Sequence, residues 1–245
     1  MTRDQEIAER LGNVRLQLAE AAARAGRADG SVRLVAVSKK MSADDVRGAL
    51  RAGQRDFGEN YAQELRDKRA ALADDAEFAG ERAPRWHYIG PLQRNKVKLL
   101  AGQVALIHSV ADPEIVDEIE RRAGDPAPSG ASQACLIQVN LTGEPRKSGL
   151  APAALPALLD RFAGARHCHC DGLMLIPPLE TDVDQTRRHF AALRALAERE
   201  ARVERPRVKL TELSMGMSGD FVAAIEEGAT LVRVGSAIFG ERVIR

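Results

Sequence analysis

Short apolar segments alternate with longer amphipathic segments along the whole chain, and this alternation restricts the fold more than any other feature. The apolar segments are rich in Val, Ile and Leu, whereas the amphipathic segments repeat apolar residues at helical spacing. The pattern predicts strands over 32–39, 55–58, 86–89, 104–108, 135–140, 169–176, 209–214 and 230–234. It predicts helices over 7–25, 42–52, 62–72, 95–101, 112–123, 152–162, 182–201 and 220–227.

Strands that alternate with helices predict a parallel sheet, because each helix returns the chain to the edge from which the next strand starts. Eight such strands favour a closed α/β barrel, a single (β/α)8 TIM barrel with an extra N-terminal helix. An open doubly wound sheet is the alternative, but no G-x-G-x-x-G motif follows the first strand. The length of 245 residues suits one barrel domain over 1–245. The stretches 74–85 and 124–130 are interpreted as surface loops.

Composition excludes several classes of partner. The net charge is +1, with acidic and basic residues interleaved, which argues against a nucleic acid or a membrane surface as the main partner. No segment has the roughly twenty apolar residues of a membrane span, and the polar start does not resemble a signal peptide. Three cysteines, an odd number, fit a reducing compartment, so we expect a cytoplasmic protein.

Lys39 closes the first predicted strand and would lie at the mouth of the barrel. An amine at such a position can be partly desolvated and can capture an aldehyde as a Schiff base. The alternative is that Lys39 only marks where a buried strand meets water.

The loops after the last two strands are rich in glycine and serine. Ser214-Met215-Gly216-Met217-Ser218-Gly219 follows the seventh strand, and Gly235-Ser236 follows the eighth. In α/β barrels these loops commonly bind a phosphate through backbone N–H groups. The alternative is that the glycines serve only tight turns. If both sites are real, the ligand carries an aldehyde and a phosphate, as pyridoxal 5′-phosphate (PLP) does.

Several motifs resemble those of the pyridoxal phosphate homeostasis proteins, which are single-domain relatives of the alanine racemase barrel. They are VAVSK at 35–39, FGEN at 57–60, WHYIGPLQ at 86–93, LSMGMS at 213–218 and VRVGS at 232–236. The resemblance implies that Lys39 carries PLP as an aldimine and that Arg233 faces the pyridine nitrogen. It also implies that Ser214 and the amides of Gly235 and Ser236 hold the phosphate, and it places Asn60 and Met215 beside the cofactor.

The position after Lys39 departs from the family pattern, because Lys40 stands where the family commonly has threonine. Strand alternation would separate the two lysines, since Lys39 shares a face with Val35 and Val37 and Lys40 does not.

The resemblance implies a PLP carrier that buffers the cofactor or delivers it to PLP-dependent apoenzymes. An arginine is always cationic and opposes protonation of the pyridine nitrogen, so we expect no efficient catalysis from a site with Arg233 there. Related enzymes use a tyrosine from a second domain, and that domain also lets them pair, so we expect a monomer. For Arg233, pairing with Glu212 or Glu241 is the alternative. The alternative functions are an amino-acid racemase-type enzyme, a cofactor-free Schiff-base aldolase and an interaction protein.

Two weaker signals are interpreted as structural, and a third stays open. His167-Cys168-His169-Cys170 contains metal-binding residue types, but side chains alternate along a strand, so we predict a packed strand and no metal site. The basic stretch of Arg94, Lys96 and Lys98 is interpreted as a solvated helix face. His87 and His108 fall near predicted strand ends, where either a proton-transfer role or a polar cap fits.

Overall fold

Eight parallel strands close into a barrel in the computed structural model, which describes residues 1–124, 132–143, 148–178 and 182–240. The strands are β1 (Arg33–Val37), β2 (Asp56–Glu59), β3 (Arg85–Tyr88), β4 (Leu106–Val110), β5 (Gln133–Gln138), β6 (Cys168–Met174), β7 (Val208–Ser214) and β8 (Leu231–Val234). They follow one another in sequence order, and β8 pairs with β1 to close the sheet. The predicted fold class is therefore confirmed.

The helices surround the barrel. They are α1 (Arg3–Arg24), α2 (Ala43–Arg51), α3 (Ala62–Leu72), α4 (Pro113–Gly124), α5 (Leu155–Ala163), α6 (Val183–Glu200), α7 (Phe221–Glu226) and α8 (Ser236–Phe239). The predicted helix over 95–101 is a 3-10 helix, Arg94–Leu99, and α8 was not predicted. Two short 3-10 helices, Ala76–Phe78 and Gly80–Arg82, occupy the predicted surface loop at 74–85. Of the loop predicted at 124–130, all but Gly124 lies outside the described residues.

Apolar side chains form two separate cores, because successive side chains of a strand face opposite sides of the sheet. The larger core lies between the strands and the helices. The smaller one fills the barrel interior and consists of Val35, Leu106, Leu136, Met174 and Leu231. The alternation that turns these apolar side chains inward also turns polar side chains of the same barrel into its interior.

The register of the strands identifies those polar side chains. His87 is aligned with Leu106, Ser214 with Leu231, and Arg233 with Val35, and each of these partners belongs to the interior core. Aligned residues of parallel strands face the same side of the sheet, so all three polar side chains point into the barrel. His87, Ser214 and Arg233 are all buried there.

Helix α1 lies across the seam where the last strand meets the first. It begins at a capping box in which Thr2 and Gln5 satisfy each other's backbone N–H groups. Its apolar side packs against α2, α7 and α8, and Arg3 donates a hydrogen bond to the carbonyl of Phe239 at 2.7 Å. Neither α1 nor any other helix in the described ranges is both long and apolar enough to cross a bilayer.

Candidate functional site

The carboxyl ends of the strands converge on one rim, and most of the predicted site residues lie there. Lys39 follows β1, Asn60 follows β2, and Gly235 and Ser236 follow β8. The β8 loop approaches the end of β1 closely, because a Cβ on Gly235 would come within 3.2 Å of the Val37 carbonyl oxygen. The fold therefore brings the lysine loop and the predicted phosphate loop to neighbouring positions.

Lys39 itself lies in the loop after β1, since strand pairing ends at Val37. The prediction that the strand extends to Lys39 was wrong, so strand alternation does not decide between the two lysines. Their burial differs instead. Lys39 is half-buried, whereas Lys40 is exposed. This difference supports Lys39 as the desolvated amine.

A buried ionic cluster holds the backbone before Lys39. The Lys68 ammonium donates to the Ser38 carbonyl at 2.6 Å and to Glu59 Oε1 at 2.7 Å. The Ser38 hydroxyl donates to the same Glu59 oxygen at 2.7 Å. Burial raises the pKa of Glu59, and the nearby Lys68 charge opposes that shift. All of these groups are enclosed by protein, so their hydrogen bonds are shielded from water and hold the backbone before Lys39 in place.

The backbone after Lys39 is held by the same cluster. Lys40 adopts a left-handed conformation with φ of 62°, which is unfavourable for a residue with a side chain. Its N–H donates to Glu64 Oε1 at 2.5 Å, and Lys68 donates to that oxygen at 2.8 Å. Lys39 is thus flanked by two anchored peptide groups. A catalytic or binding amine gains precision from such support.

Arg233 is a buried cation below the rim. Its guanidinium donates to the Ser214 hydroxyl at 2.6 Å and to the Leu175 carbonyl at 2.8 Å. Burial lowers the pKa of Arg233 to about 10, with the charge of Asp220 acting in the opposite direction. The side chain is therefore cationic at neutral pH, as the sequence predicted.

The alternative pairing of Arg233 with a glutamate is not observed for Glu212. That carboxylate instead bonds Arg33 at 2.5 Å and Thr230 at 2.6 Å. The other candidate, Glu241, lies outside the described residues.

Ser214 and Met215 both point away from the rim. The Ser214 hydroxyl is fully buried between Arg233 and His108, whose Nδ1 lies 2.8 Å from it. The Met215 side chain is fully buried in the larger core. The phosphate role of Ser214 and the cofactor contact of Met215 stay predictions, and the geometry engages the Ser214 side chain elsewhere.

Ser218 is the serine that the structure brings to Gly235 in the predicted phosphate loop. Its hydroxyl accepts a hydrogen bond from the Gly235 N–H at 3.2 Å. A groove of about 510 Å³ opens beside it, lined in part by Ile176, Met217 and Phe221. Ser218 was contained in the predicted loop but was not singled out. The available signal was its position beyond the strand end, where a side chain can face the rim.

His87 and His108 lie in the barrel interior rather than at the rim. His87 Nδ1 lies 2.9 Å from His108 Nε2, and His87 Nε2 lies 3.0 Å from Asp56 Oδ1. Asp56 also receives a two-pronged contact from Arg85, with distances of 2.9 and 2.6 Å. Despite burial, the hydrogen bonds from His87 and Arg85 lower the pKa of Asp56. Asp56 had no distinguishing signal in the sequence.

Protonation of His108 should destabilise the fold in mild acid. Burial lowers its pKa well below the ordinary value, and the charges of His87, Arg233 and Arg33 act in the same direction. Above the unfolded pKa of about 6.5 the residue is neutral in both states. Below it the unfolded chain gains a proton first, so stability should fall by up to about 1.4 kcal/mol per pH unit.

Urea unfolding at about pH 7.5 and about pH 5.5 measures this effect. His108→Asn should lose part of the acid sensitivity, whereas replacing the exposed His167 by asparagine should not. Equal pH dependence in the wild type and His108→Asn would contradict the prediction.

The side chains of 167–170 diverge, as expected for a strand. Cys168 and Cys170 are buried in the larger core, and His169 contacts the Ser132 hydroxyl at 2.9 Å. Within the described ranges, no group of three or more His, Cys, Asp or Glu residues is placed to bind a metal ion. In the basic stretch, Arg94 and Lys98 are exposed and Lys96 is half-buried.

One orphaned polar atom at the rim tests whether these residues fit a ligand of the predicted kind. Asn60 Oδ1 is buried and has no hydrogen-bond partner among the residues that the structure describes. Its backbone packs so tightly on Gly90 that a Cβ there would lie 2.0 Å from the Asn60 carbonyl oxygen. A buried acceptor without a donor is costly, and a polar ligand removes that cost. With the half-buried amine of Lys39, the buried Arg233 and the loop at Gly235, the rim fits PLP.

Comparison with known proteins agrees with this geometry. The family model of the alanine racemase N-terminal domain matches residues 10–243. The pyridoxal phosphate homeostasis protein of Aquifex aeolicus is 40% identical, over 96% of this chain and 97% of its own. The protein of the same name from Pseudomonas aeruginosa is 43% identical, over 96% of each chain. PipY from Synechococcus elongatus, solved with PLP bound, superposes with a TM-score of 0.80 at 38% identity, covering 96% of this chain and 100% of PipY.

Proposed function

The chain belongs to the pyridoxal phosphate homeostasis protein family, whose barrel is that of the alanine racemase N-terminal domain, and from this premise we propose that it binds PLP through Lys39 and takes part in intracellular PLP homeostasis. The observation that carries the proposal is the half-buried Lys39, held between two anchored peptide groups on the same rim as Asn60 and Gly235. PLP supplies an aldehyde that an amine captures reversibly and a ring that can accept electrons.

Each site residue has a distinct role in this proposal. Lys39 would hold the aldehyde through its amine. The amides of Ser236 and of Gly235, whose N–H donates to Ser218 Oγ in this structure, would hold the phosphate, with the hydroxyl of Ser218 added to the predicted set. Arg233 would face the ring nitrogen, and Asn60 would offer its unsatisfied oxygen to a donor at the rim. The Ser214 hydroxyl accepts a hydrogen bond from Arg233. The Met215 side chain lies in the larger core, which leaves only its backbone to contact the cofactor.

Arg233 favours a carrier over an enzyme. A guanidinium that is cationic at neutral pH disfavours a second positive charge on the ring nitrogen beside it. An uncharged ring withdraws electrons poorly, so reactions that need a carbanion are weakly supported.

The tyrosines also favour a carrier over a racemase, which needs one group to accept a proton on one face of its substrate and a second group to donate a proton on the other. Tyr88 is buried, donates its hydroxyl to the Pro91 carbonyl at 3.0 Å, and has a pKa that burial raises to about 12. Tyr61 is 51% exposed on the surface. The buried, hydrogen-bonded Tyr88 is therefore poorly suited to proton transfer, and Tyr61 is not enclosed beside a substrate.

We also infer that the chain acts as a single domain over 1–245, as a monomer, and in the cytoplasm. Closure of the barrel by β8 on β1 supports one domain. The three cysteines are free and buried, which suits a reducing compartment. The proposed homeostasis takes one of two forms. The protein either delivers PLP to PLP-dependent apoenzymes or only buffers the free cofactor.

The proposal is tested by adding PLP to the cofactor-free protein, recording the absorption spectrum, reducing with borohydride and mapping the modified peptide. We expect a new band and a pyridoxyl group on Lys39 and not on the neighbouring Lys40. Amino-acid racemisation should not exceed that of free PLP. A protein that stays unmodified would overturn the proposal, and turnover well above free PLP would establish the racemase alternative.

A further inference from the structure

A continuous chain of hydrogen-bonded side chains crosses the barrel interior below the rim. Arg233 Nη1 donates to Ser214 Oγ at 2.6 Å, and Ser214 Oγ lies 2.8 Å from His108 Nδ1. His108 Nε2 lies 2.9 Å from His87 Nδ1, and His87 Nε2 lies 3.0 Å from Asp56 Oδ1. All five residues are buried, so each link is shielded from water.

The two ends of the chain determine its direction. Arginine can only donate, and the ionised carboxylate of Asp56 can only accept. A neutral His87 therefore donates from Nε2 to Asp56 and accepts at Nδ1. A neutral His108 then donates from Nε2 and accepts at Nδ1 from the Ser214 hydroxyl, which in turn accepts from Arg233. In this arrangement every group is satisfied, and each histidine carries its proton on Nε2.

Arg233 is a buried cation, and the described part of the protein gives it no direct counter-ion, so a chain of hydrogen bonds is the compensation that the structure shows. Among the described residues, no carboxylate lies within ion-pair distance of its guanidinium, although Asp220 is close enough to influence its charge. A buried charge without compensation is strongly unfavourable. A chain of aligned donors that ends on Asp56 makes the Ser214 oxygen a more negative acceptor than an isolated hydroxyl.

We propose that Asp56, His87 and His108 are positioning residues that hold Arg233 against the ring nitrogen of PLP, with Asp56 as its remote counter-charge. The inference rests on the proposed function only for the identity of the group that Arg233 faces. Arg85 anchors the far end of the chain, and its side chain is 58% exposed at the amino end of the barrel.

A single added proton reverses the direction of the hydrogen bonds from His87 to Ser214. When the histidine pair takes up a proton from water, His87 donates from both nitrogens, so His108 must carry its proton on Nδ1 and donate to Ser214. The Ser214 oxygen then faces two donors, and a second positive charge lies near Arg233. The other charged groups beside the chain are Arg85 at Asp56, the Arg33–Glu212 pair near His108, and Asp220 near Arg233.

The first test uses cofactor-free protein and nitrogen NMR of isotope-labelled histidine. At neutral pH we expect His87 and His108 to be neutral with the proton on Nε2, and on acidification we expect one coupled protonation step. Asp56→Asn should move that step down by at least about one pH unit, because the carboxylate no longer stabilises an imidazolium. A proton on Nδ1 of either histidine at neutral pH would overturn the proposal.

Glu212→Gln is the matched control. Glu212 is a carboxylate near the amino end of the same barrel and is bonded to Arg33 and Thr230, but it is not part of the chain. Its replacement leaves Arg33 without its partner near His108 and should move the protonation step by clearly less than Asp56→Asn does. If Asp56→Asn does not fold, His108→Gln serves instead, and it should abolish the coupled step.

The second test follows bound PLP. Asp56→Asn should weaken PLP binding by about tenfold, as loss of an outer hydrogen-bonding partner does at metal sites, and should shift the pH profile of the bound absorbance in step with the NMR transition. A loss of stability with an unchanged pH profile and affinity would show a purely structural role and overturn the proposal. If the wild type does not bind PLP, the proposed function fails. The NMR experiment still decides whether the interior hydrogen bonds run in the proposed direction.

Discussion

Lys39→Ala will fold normally and will lose reducible PLP attachment. The amine is the proposed point of attachment, and alanine leaves the aldehyde without a nucleophile. The anchored groups of the loop are the Ser38 carbonyl and the Lys40 N–H, and both are backbone atoms that the substitution keeps. We expect affinity to fall by at least about a hundredfold, roughly 3 kcal/mol. Absorbance titration, borohydride trapping and circular dichroism measure the outcome.

Lys40→Ala is the matched control, since it removes an adjacent amine that is exposed. It should retain the reducible band and the affinity of the wild type. Lys40→Gly should also retain them and should gain some stability at this position, where φ is 62° and a Cβ is unfavourable. Trapping of PLP on Lys40 in the Lys39→Ala variant at wild-type affinity would refute the assignment.

Lys68→Met will lose about 3–5 kcal/mol of stability, the usual result of removing one partner of a buried ion pair. Lys68 and Glu59 have side-chain exposures of only 7% and 0%, and they meet at 2.7 Å. Without the ammonium, Glu59 is left charged in a site that already raises its pKa. Urea unfolding monitored by circular dichroism gives the change directly.

The pH dependence identifies the mechanism of that loss. Glu59 in Lys68→Met should take up a proton more readily, so the deficit relative to the wild type should shrink as the pH falls toward the ordinary range of glutamate. Adding Glu59→Gln should restore part of the stability. Arg66→Met, which breaks the exposed pair with Asp67 on the same helix, should cost at most about 1 kcal/mol. A deficit that grows in acid would argue against a stranded carboxylate.

The fold was predictable because each element carries its own local pattern. The predicted helix at 62–72 coincides with Ala62–Leu72, and Ser42 caps α2 as its spacing predicts. The end of β1 was not predictable, because the strand stops at Val37 and the Ser38 carbonyl accepts a hydrogen bond from Lys68 on α3. That cluster has no local signature, since a lysine within a helical pattern is ordinarily a solvated residue.

The interior chain was not predictable for a different reason. Alternation indicates that His108 and Ser214 face inward, but the two residues are 106 positions apart and meet only when the barrel closes with its particular stagger. The same lack of information applies to Ser214, whose phosphate role stays a prediction. The predicted end of β7 at Ser214 coincides with the observed one, but the contacts of Ser214 with Arg233 and His108 have no local signature in the sequence.

Helix α1 imposes an order of assembly on a chain that leaves the ribosome from its N-terminus. Its apolar stripe of Ile7, Leu11 and Val14 can dock on α2 early, but the surface formed by α7 and α8 is made last. At about 5–20 residues per second, roughly 200 residues between α1 and α7 take on the order of 10–40 s to translate. Through that interval the side of α1 that packs against α7 and α8 has no partner surface. Barrel closure and the docking of α1 on α7 and α8 therefore both wait until the final strand has been released.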